Sequence, residues 1–140
     1  MDKAVLFSFM TRARYGVIGS LAADGSPQSA LVGVAITPEL EIVFDTLKST
    51  RKYANLAARP MCSAVLWWGG EQTVQIDGVA FEPAGAELEH YREAYFSAWP
   101  DGRDRLAWAG ITHLVVLPRW IRATDYDQAP PLIEEIRFPK

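Results

Sequence analysis

Phe44-Asp45-Thr46-Leu47-Lys48-Ser49-Thr50-Arg51-Lys52-Tyr53-Ala54-Asn55-Leu56 runs from the end of a strand, through a short turn, into a helix that opens with a hydroxyl and two cations. Cations at a helix N-terminus face the positive end of the dipole, at a cost of about 0.3–1 kcal/mol per exposed charge. An anion at that corner reverses the sign, because the unpaired N–H groups and the dipole both favour negative charge. The segment therefore points to a phosphate-bearing ligand. From Lys48 to Arg59 there are four cations and no acid, and a solvated helix face remains the competing reading of that run.

Around this segment the chain reads as short strands joined by tight turns. Val5, Leu6, Phe9 and Met10 fall at helical spacing, which predicts a helix over 3–13. Tyr15 to Leu21 has strand composition and leads into the Asp24-Gly25 hairpin signal; Ser29 to Ile36 is the return strand. Glu41 to Phe44 is the third strand, Ser49 or Thr50 caps the central helix, and Pro60 ends it. Cys62 to Trp68 is apolar at both alternating sets of positions, so it needs cover on both faces, as from a core and a second subunit. Thr73 to Phe81 reads as one long strand with a bulge at Asp77-Gly78. Leu88, Tyr91, Tyr95 and Trp99 form a helical stripe over 86–98, read as core packing, as is Trp108. His113 to Leu117 and Trp120 to Ala123 are the last strands, interrupted at Pro118, and the tail from Gln128 is expected to run over the surface. Six or seven strands with helices around them favour an antiparallel barrel over a doubly wound sheet.

A length of 140 residues with 49% hydrophobic content fits a single domain over 1–140. The net charge of −3 argues against a general nucleic-acid surface. The lone Cys62 rules out an intrachain disulfide, no stretch reaches the about 20 apolar residues of a membrane span, and the first residues lack a leader pattern. A cytoplasmic setting, without membrane or nucleic-acid partners, is the expectation. His90, His113 and Cys62 have no metal-ligand spacing, and His113 reads as a satisfied structural residue in an apolar strand. There is no G-x-S-x-G elbow and no Gly-rich nucleotide loop. Any difficult chemistry would fall to a bound cofactor.

The central segment, with Thr50-Arg51-Lys52, Asn55-Leu56 and Arg59-Pro60, resembles the flavin phosphate segment of the pyridoxamine 5'-phosphate oxidase-like, FMN-binding split-barrel family. Asp24-Gly25-Ser26-Pro27, Thr73-Val74-Gln75-Ile76-Asp77-Gly78-Val79-Ala80 and Leu117-Pro118-Arg119-Trp120-Ile121-Arg122 fall where that family has its hairpin, long strand and closing strands. The resemblance implies a six-stranded antiparallel split barrel, mainly β with peripheral helices, that forms a homodimer with FMN sites across the interface. It implies that Thr50, Arg51 and Lys52 hold the FMN phosphate, and that Phe44, Asp45 and Thr46 line the ribityl chain and ring, partly through backbone groups. By the same implication Ser29, Ala30 and Leu31 approach the flavin edge, and Gln72 and Thr73 supply polar contacts near the ring. Two features differ from the true oxidases: Ala30 and Ala35 stand where those have basic residues, and no Arg-x-His segment occurs near Arg119 to Arg122. The implied activity is a flavin-dependent oxidoreductase other than the true oxidase. A deazaflavin-dependent reductase and a non-catalytic flavin or haem carrier or sensor are the alternatives.

Overall fold

The computed structural model describes residues 2–139. Its elements are α1 (Lys3–Met10), β1 (Tyr15–Leu21), β2 (Pro27–Gly33), β3 (Ala35–Ile36), β4 (Ile42–Leu47), α2 (Arg51–Ala58), β5 (Met61–Trp67), β6 (Gln72–Phe81), α3 (Gly85–Ala98), a 3-10 helix (Pro100–Ala107), β7 (Ile111–Asp125) and β8 (Leu132–Arg137). All strand pairs are antiparallel. The order across the sheet is β2-β1-β5-β6-β7-β4-β3, with β8 added to β7. The two ends of that path, β2 and β3, are separated in sequence by Val34 alone. A sheet whose edges are that close along the chain must curl on itself, and the result is a mainly β split barrel with helices around it.

One apolar cluster fills the barrel, including Ile18, Val34, Ile42, Phe44, Leu66, Ile76, Val116 and Ile121, and α1 closes it with Leu6 and Met10. A second, smaller cluster under α3 joins Tyr91, Tyr95 and Phe96 to Val43 and Val115 on the sheet's other face. The stripe on α3 is thus core at Tyr91 and Tyr95, and Trp99 packs against the same cluster. Trp108 departs from the core reading: it is 54% exposed just after the 3-10 helix.

Three boundaries differ from the sequence reading for identifiable reasons. The helix α1 stops at Met10, where Thr11 caps it, rather than at 13. Ser29 to Ile36 is split at Val34, whose N–H bonds to the Arg14 carbonyl, so β2 stays with β1 while β3 crosses to β4. β7 runs unbroken through Pro118 because the irregularity opposite Asp77/Gly78 lies there: Asp77 pairs with Trp120 and Gly78 with Pro118. Arg119 is the extra residue of that bulge, and a proline is tolerated at a bulge because a ladder bond is already missing. The tail does not merely cross the surface. Leu132–Arg137 pairs with Trp120–Asp125, pinned by Arg122 to Glu135 at 2.7 Å.

Candidate functional site: a cationic corner at the start of α2

Thr50 is the N-cap of α2. Its Oγ donates to the Leu47 carbonyl at 2.9 Å and accepts from the Tyr53 N–H at 3.4 Å. With that proton committed to Leu47, Thr46 Oγ, 3.0 Å away, is the donor of the Thr46–Thr50 bond. The turn is held further by Lys48 N–H on the Gly110 carbonyl at 2.8 Å. No acidic residue lies in the first turn of α2, so Arg51 and Lys52 meet the helix dipole unneutralised there.

Facing this turn is a cavity of about 190 Å³ lined by Ser20, Gln28, Ser29, Ala30, Thr50, Arg51 and Lys52. Hydroxyls, an amide and two cations line it, and no carboxylate does. Its volume corresponds to about six water molecules, room for a tetrahedral anion and its first contacts. Arg51 is exposed and Lys52 half-buried. Burial lowers the Lys52 pKa, and the nearby Asp45 charge opposes that shift. An anion in the cavity would stabilise the ammonium that desolvation penalises.

The cavity's shape depends on Asn55, one turn further along α2 and buried. Its Nδ2 donates to Ser20 Oγ at 3.0 Å and to Gln28 Oε1 at 2.9 Å, tying the helix to β1 and β2. Arg59 Nε donates to the Leu21 carbonyl at 3.0 Å and fixes the far end of α2. Ser20 and Gln28 were not among the site residues expected from sequence. Their signal was present: Ser20 shares the inward set of β1 with Gly16 and Ile18, a polar residue in an apolar file.

The structure brings Ser29, Ala30, Thr50, Arg51 and Lys52 together on one cavity, with Thr46 in the layer beneath. Phe44 is fully buried in the barrel, so its side chain is core and only its backbone can face a ligand. Leu31, on the outer face of β2 with Ser29, is 68% exposed and does not line the cavity. Gln72 and Thr73 are bound to Asp125 and Thr124 at 3.4 and 2.9 Å. Thr73 pairs with Trp67, and Trp67 pairs with Tyr15, five residues along β1 from Ser20. That is about 17 Å of strand, so one chain does not join Gln72 and Thr73 to the α2 corner.

Asp45 points toward the 3-10 helix. Its carboxylate accepts from Arg105 Nε at 2.7 Å, and the same guanidinium reaches Asp101 at 2.9 Å and the Tyr95 hydroxyl at 3.2 Å. Beside it His113 is fully buried, edge-on to Tyr95 and Phe96 at 5.2 and 5.6 Å between ring centroids. Among the described residues neither ring nitrogen of His113 has a hydrogen-bond partner, which corrects the reading of a satisfied histidine. Burial lowers its pKa, with Asp45 opposing and Arg92 and Arg105 reinforcing the shift.

The outer face of β2, β1 and β5 is apolar and uncovered. Leu31, Val17 and Val65 align across the three strands, and Tyr15 and Trp67 form the next row. Tyr15, Leu31, Val65 and Trp67 are 52%, 68%, 38% and 59% exposed. The strand that is apolar on both sides therefore buries Ala64 and Leu66 in the barrel and presents Val65 and Trp67 outward. Among the described residues no helix is long and apolar enough to cross a membrane.

The fold is an antiparallel split barrel with a cationic cavity at the start of the helix that follows its fourth strand. A family model described as pyridoxamine 5'-phosphate oxidase matches residues 3–118, and the chain belongs to that family. A pyridoxine/pyridoxamine 5'-phosphate oxidase of a Nocardioides species is 32% identical over 124 residues, 88% of this chain and 54% of the relative. A second, from Thermosynechococcus vestitus, is 33% identical over 66% of this chain and 42% of its own length. The chain thus spans about half the length of the curated relatives it matches. Among solved structures, a haem binding protein from Mycobacterium smegmatis has a TM-score of 0.81 at 18% identity, covering 98% of this chain and 59% of that one.

Proposed function

We propose that this protein binds FMN, with the phosphate seated against Thr50, Arg51 and Lys52, and that it acts as a flavin-dependent oxidoreductase on a small molecule. The observation that carries this reading is the cavity at the start of α2, lined by cations and hydroxyls and free of carboxylates. Arg51 can grip phosphate through paired N–H groups, Lys52 adds a point charge, and Ser29 supplies a hydroxyl, while Thr50, its own proton on the Leu47 carbonyl, fixes the turn that the phosphate sits against. Ala30 leaves room beside the β2 backbone for the rest of the ligand. A solved relative in shape, a pyridoxamine 5'-phosphate oxidase-related, FMN binding protein from Nostoc punctiforme, has a TM-score of 0.66 at 9% identity, over 99% of this chain and 93% of that one.

The cavity holds a phosphate but not a whole mononucleotide, so the remainder of the ligand extends over the open side of β2. A homodimer formed through the Leu31–Val17–Val65 face closes that side and excludes water. In that arrangement the partner's Gln72 and Thr73 supply the polar contacts that one chain cannot deliver to its own α2 corner. Bound flavin supplies reversible hydride or electron transfer, and the protein binds, orients and shields it. A second reading follows from the haem binding protein of the same fold: a carrier role without turnover. Flavin absorption after incubation with FMN, its bleaching by NADH or NADPH, and a dimer mass by light scattering support the oxidoreductase. A Soret band on haem titration with no flavin uptake supports the carrier, and a monomer that binds FMN tightly refutes the shared site.

A further inference from the structure

The largest cavity described lies away from α2 and shares no lining residue with its corner. It occupies about 700 Å³ where β6 and β7 meet at the bulge and the segment after β8 folds back, within the about 300–1,000 Å³ range of small-molecule sites. The bulge explains its presence. Arg119 is the unpaired residue of β7, so alternation fails there and both Arg119 and Trp120 reach the same cavity. Gly78 opposite them has no room for a side chain, since a Cβ would lie 2.6 Å from the Leu117 carbonyl oxygen. Phe138 is drawn over the cavity by its N–H bond to the Arg119 carbonyl at 3.0 Å.

The lining divides by chemistry. Trp120 and Phe138 give aromatic walls, with Met61 and Val79 beside them. Arg119 and Arg137 also line it, against a single carboxylate, Asp77. Neither guanidinium makes an ion pair among the described residues; Glu135 on β8 is held by Arg122 at 2.7 Å, accepts from Trp120 Nε1 at 3.3 Å and feels the Arg137 charge. Cys62 stays a neutral thiol, its pKa pushed up to about 12 by burial and then by Asp77. The cavity is thus apolar and aromatic with an excess positive charge.

We infer that this cavity is a second binding site, separate from the α2 corner, for an aromatic monoanion whose ring lies against Trp120 and Phe138 and whose carboxylate, sulfonate or phosphate meets Arg119 and Arg137. A planar ring is favoured over a flexible chain because two rigid aromatic walls gain most from a flat partner. Stacking and paired N–H donation also suit a guanidinium better than an ammonium.

The test uses two fluorescent probes that differ in charge, anionic 1-anilinonaphthalene-8-sulfonate and neutral N-phenyl-1-naphthylamine, on wild type and the Arg119→Gln/Arg137→Gln double variant. Both arginines are exposed, so the variant keeps the fold, which circular dichroism checks. The expected result is a loss of about tenfold in sulfonate affinity, with the neutral probe and FMN titration unchanged. Equal sulfonate affinity in both proteins, an equal loss for both probes, or no sulfonate binding by wild type overturns the inference. Because FMN is titrated separately, failure here is distinguishable from failure of the α2 assignment.

Discussion

Asn55→Ala tests how the cationic corner is held in shape. The amide is buried at 7% exposure and donates to Ser20 Oγ and Gln28 Oε1 at 3.0 and 2.9 Å. Each neutral bond contributes about 1 kcal/mol net. Ser20 is only 4% exposed, so its hydroxyl is left short of a partner. The gain in helix propensity from Asn to Ala offsets about 0.5 kcal/mol. The net expectation is a loss of about 2 kcal/mol, or about 7 °C in Tm for a domain of this size. Urea unfolding of the apo protein reads it directly, and Ser20→Ala is the control that removes one bond of the two. The variant should also bind FMN more weakly, because Gln28 and the first turn of α2 lose their common anchor. A stability change below about 0.5 kcal/mol would refute the claim that this amide joins α2 to the sheet.

Three further expectations concern titration and close packing. His113 is buried with a lowered pKa, so its stabilisation is complete above the unfolded value near 6.5 and is lost as pH falls toward the folded pKa. The unfolded chain takes up the proton first in that window, at up to about 1.4 kcal/mol per pH unit. His113→Phe keeps the edge-on contacts with Tyr95 and Phe96 and should flatten the urea midpoint between pH 6.5 and 5; an unchanged slope contradicts the assignment. Lys52 has its pKa lowered by burial from 10.5, so FMN affinity should fall on the alkaline side before the ordinary lysine value is reached. Lys52→Arg should push that fall to higher pH in a fluorescence-quenching titration. Gly78→Ala places a Cβ 2.6 Å from the Leu117 carbonyl and 2.7 Å from Val116, and thermal melts should show a loss of about 1–3 kcal/mol.

The parts of the fold legible in sequence were those set by local rules. Thr50 caps α2 where the hydroxyl precedes two cations, and the Asp24-Gly25 turn pairs β1 with β2 in register from Tyr15–Gly33 to Leu21–Pro27. The irregularity at Asp77-Gly78 was also legible, although the extra residue proved to be Arg119 on the facing strand. Pro118 misled because its missing N–H matters only if a partner carbonyl is aligned with it, and the partner is fixed by tertiary pairing. β8 was hidden for a similar reason. Leu132–Arg137 has mixed polarity and follows two prolines, and it is held by a cross-strand pair, Arg122 with Glu135, that no local pattern announces.

Within the candidate site, the cation pair and the small residue at Ala30 were visible as types at a helix start. The roles of Phe44 and Asp45 were not, because strand alternation sends Phe44 into the barrel and Asp45 to Arg105, and the sequence distance to Arg105 hides that partner. Gln72 and Thr73 lie at the far end of β6 from α2, a separation that follows from sheet order and not from spacing along the chain.

The decisive measurement compares FMN with riboflavin, which lacks the phosphate, on wild type and on Arg51→Ala/Lys52→Ala by flavin fluorescence quenching. Wild type should prefer FMN by about a hundredfold or more, two charge-assisted contacts at about 1.5–3 kcal/mol each, and the double variant should bind both flavins nearly alike. Equal affinity of the wild type for the two flavins, or an FMN preference that survives the substitutions, would contradict the placement of the phosphate at the start of α2.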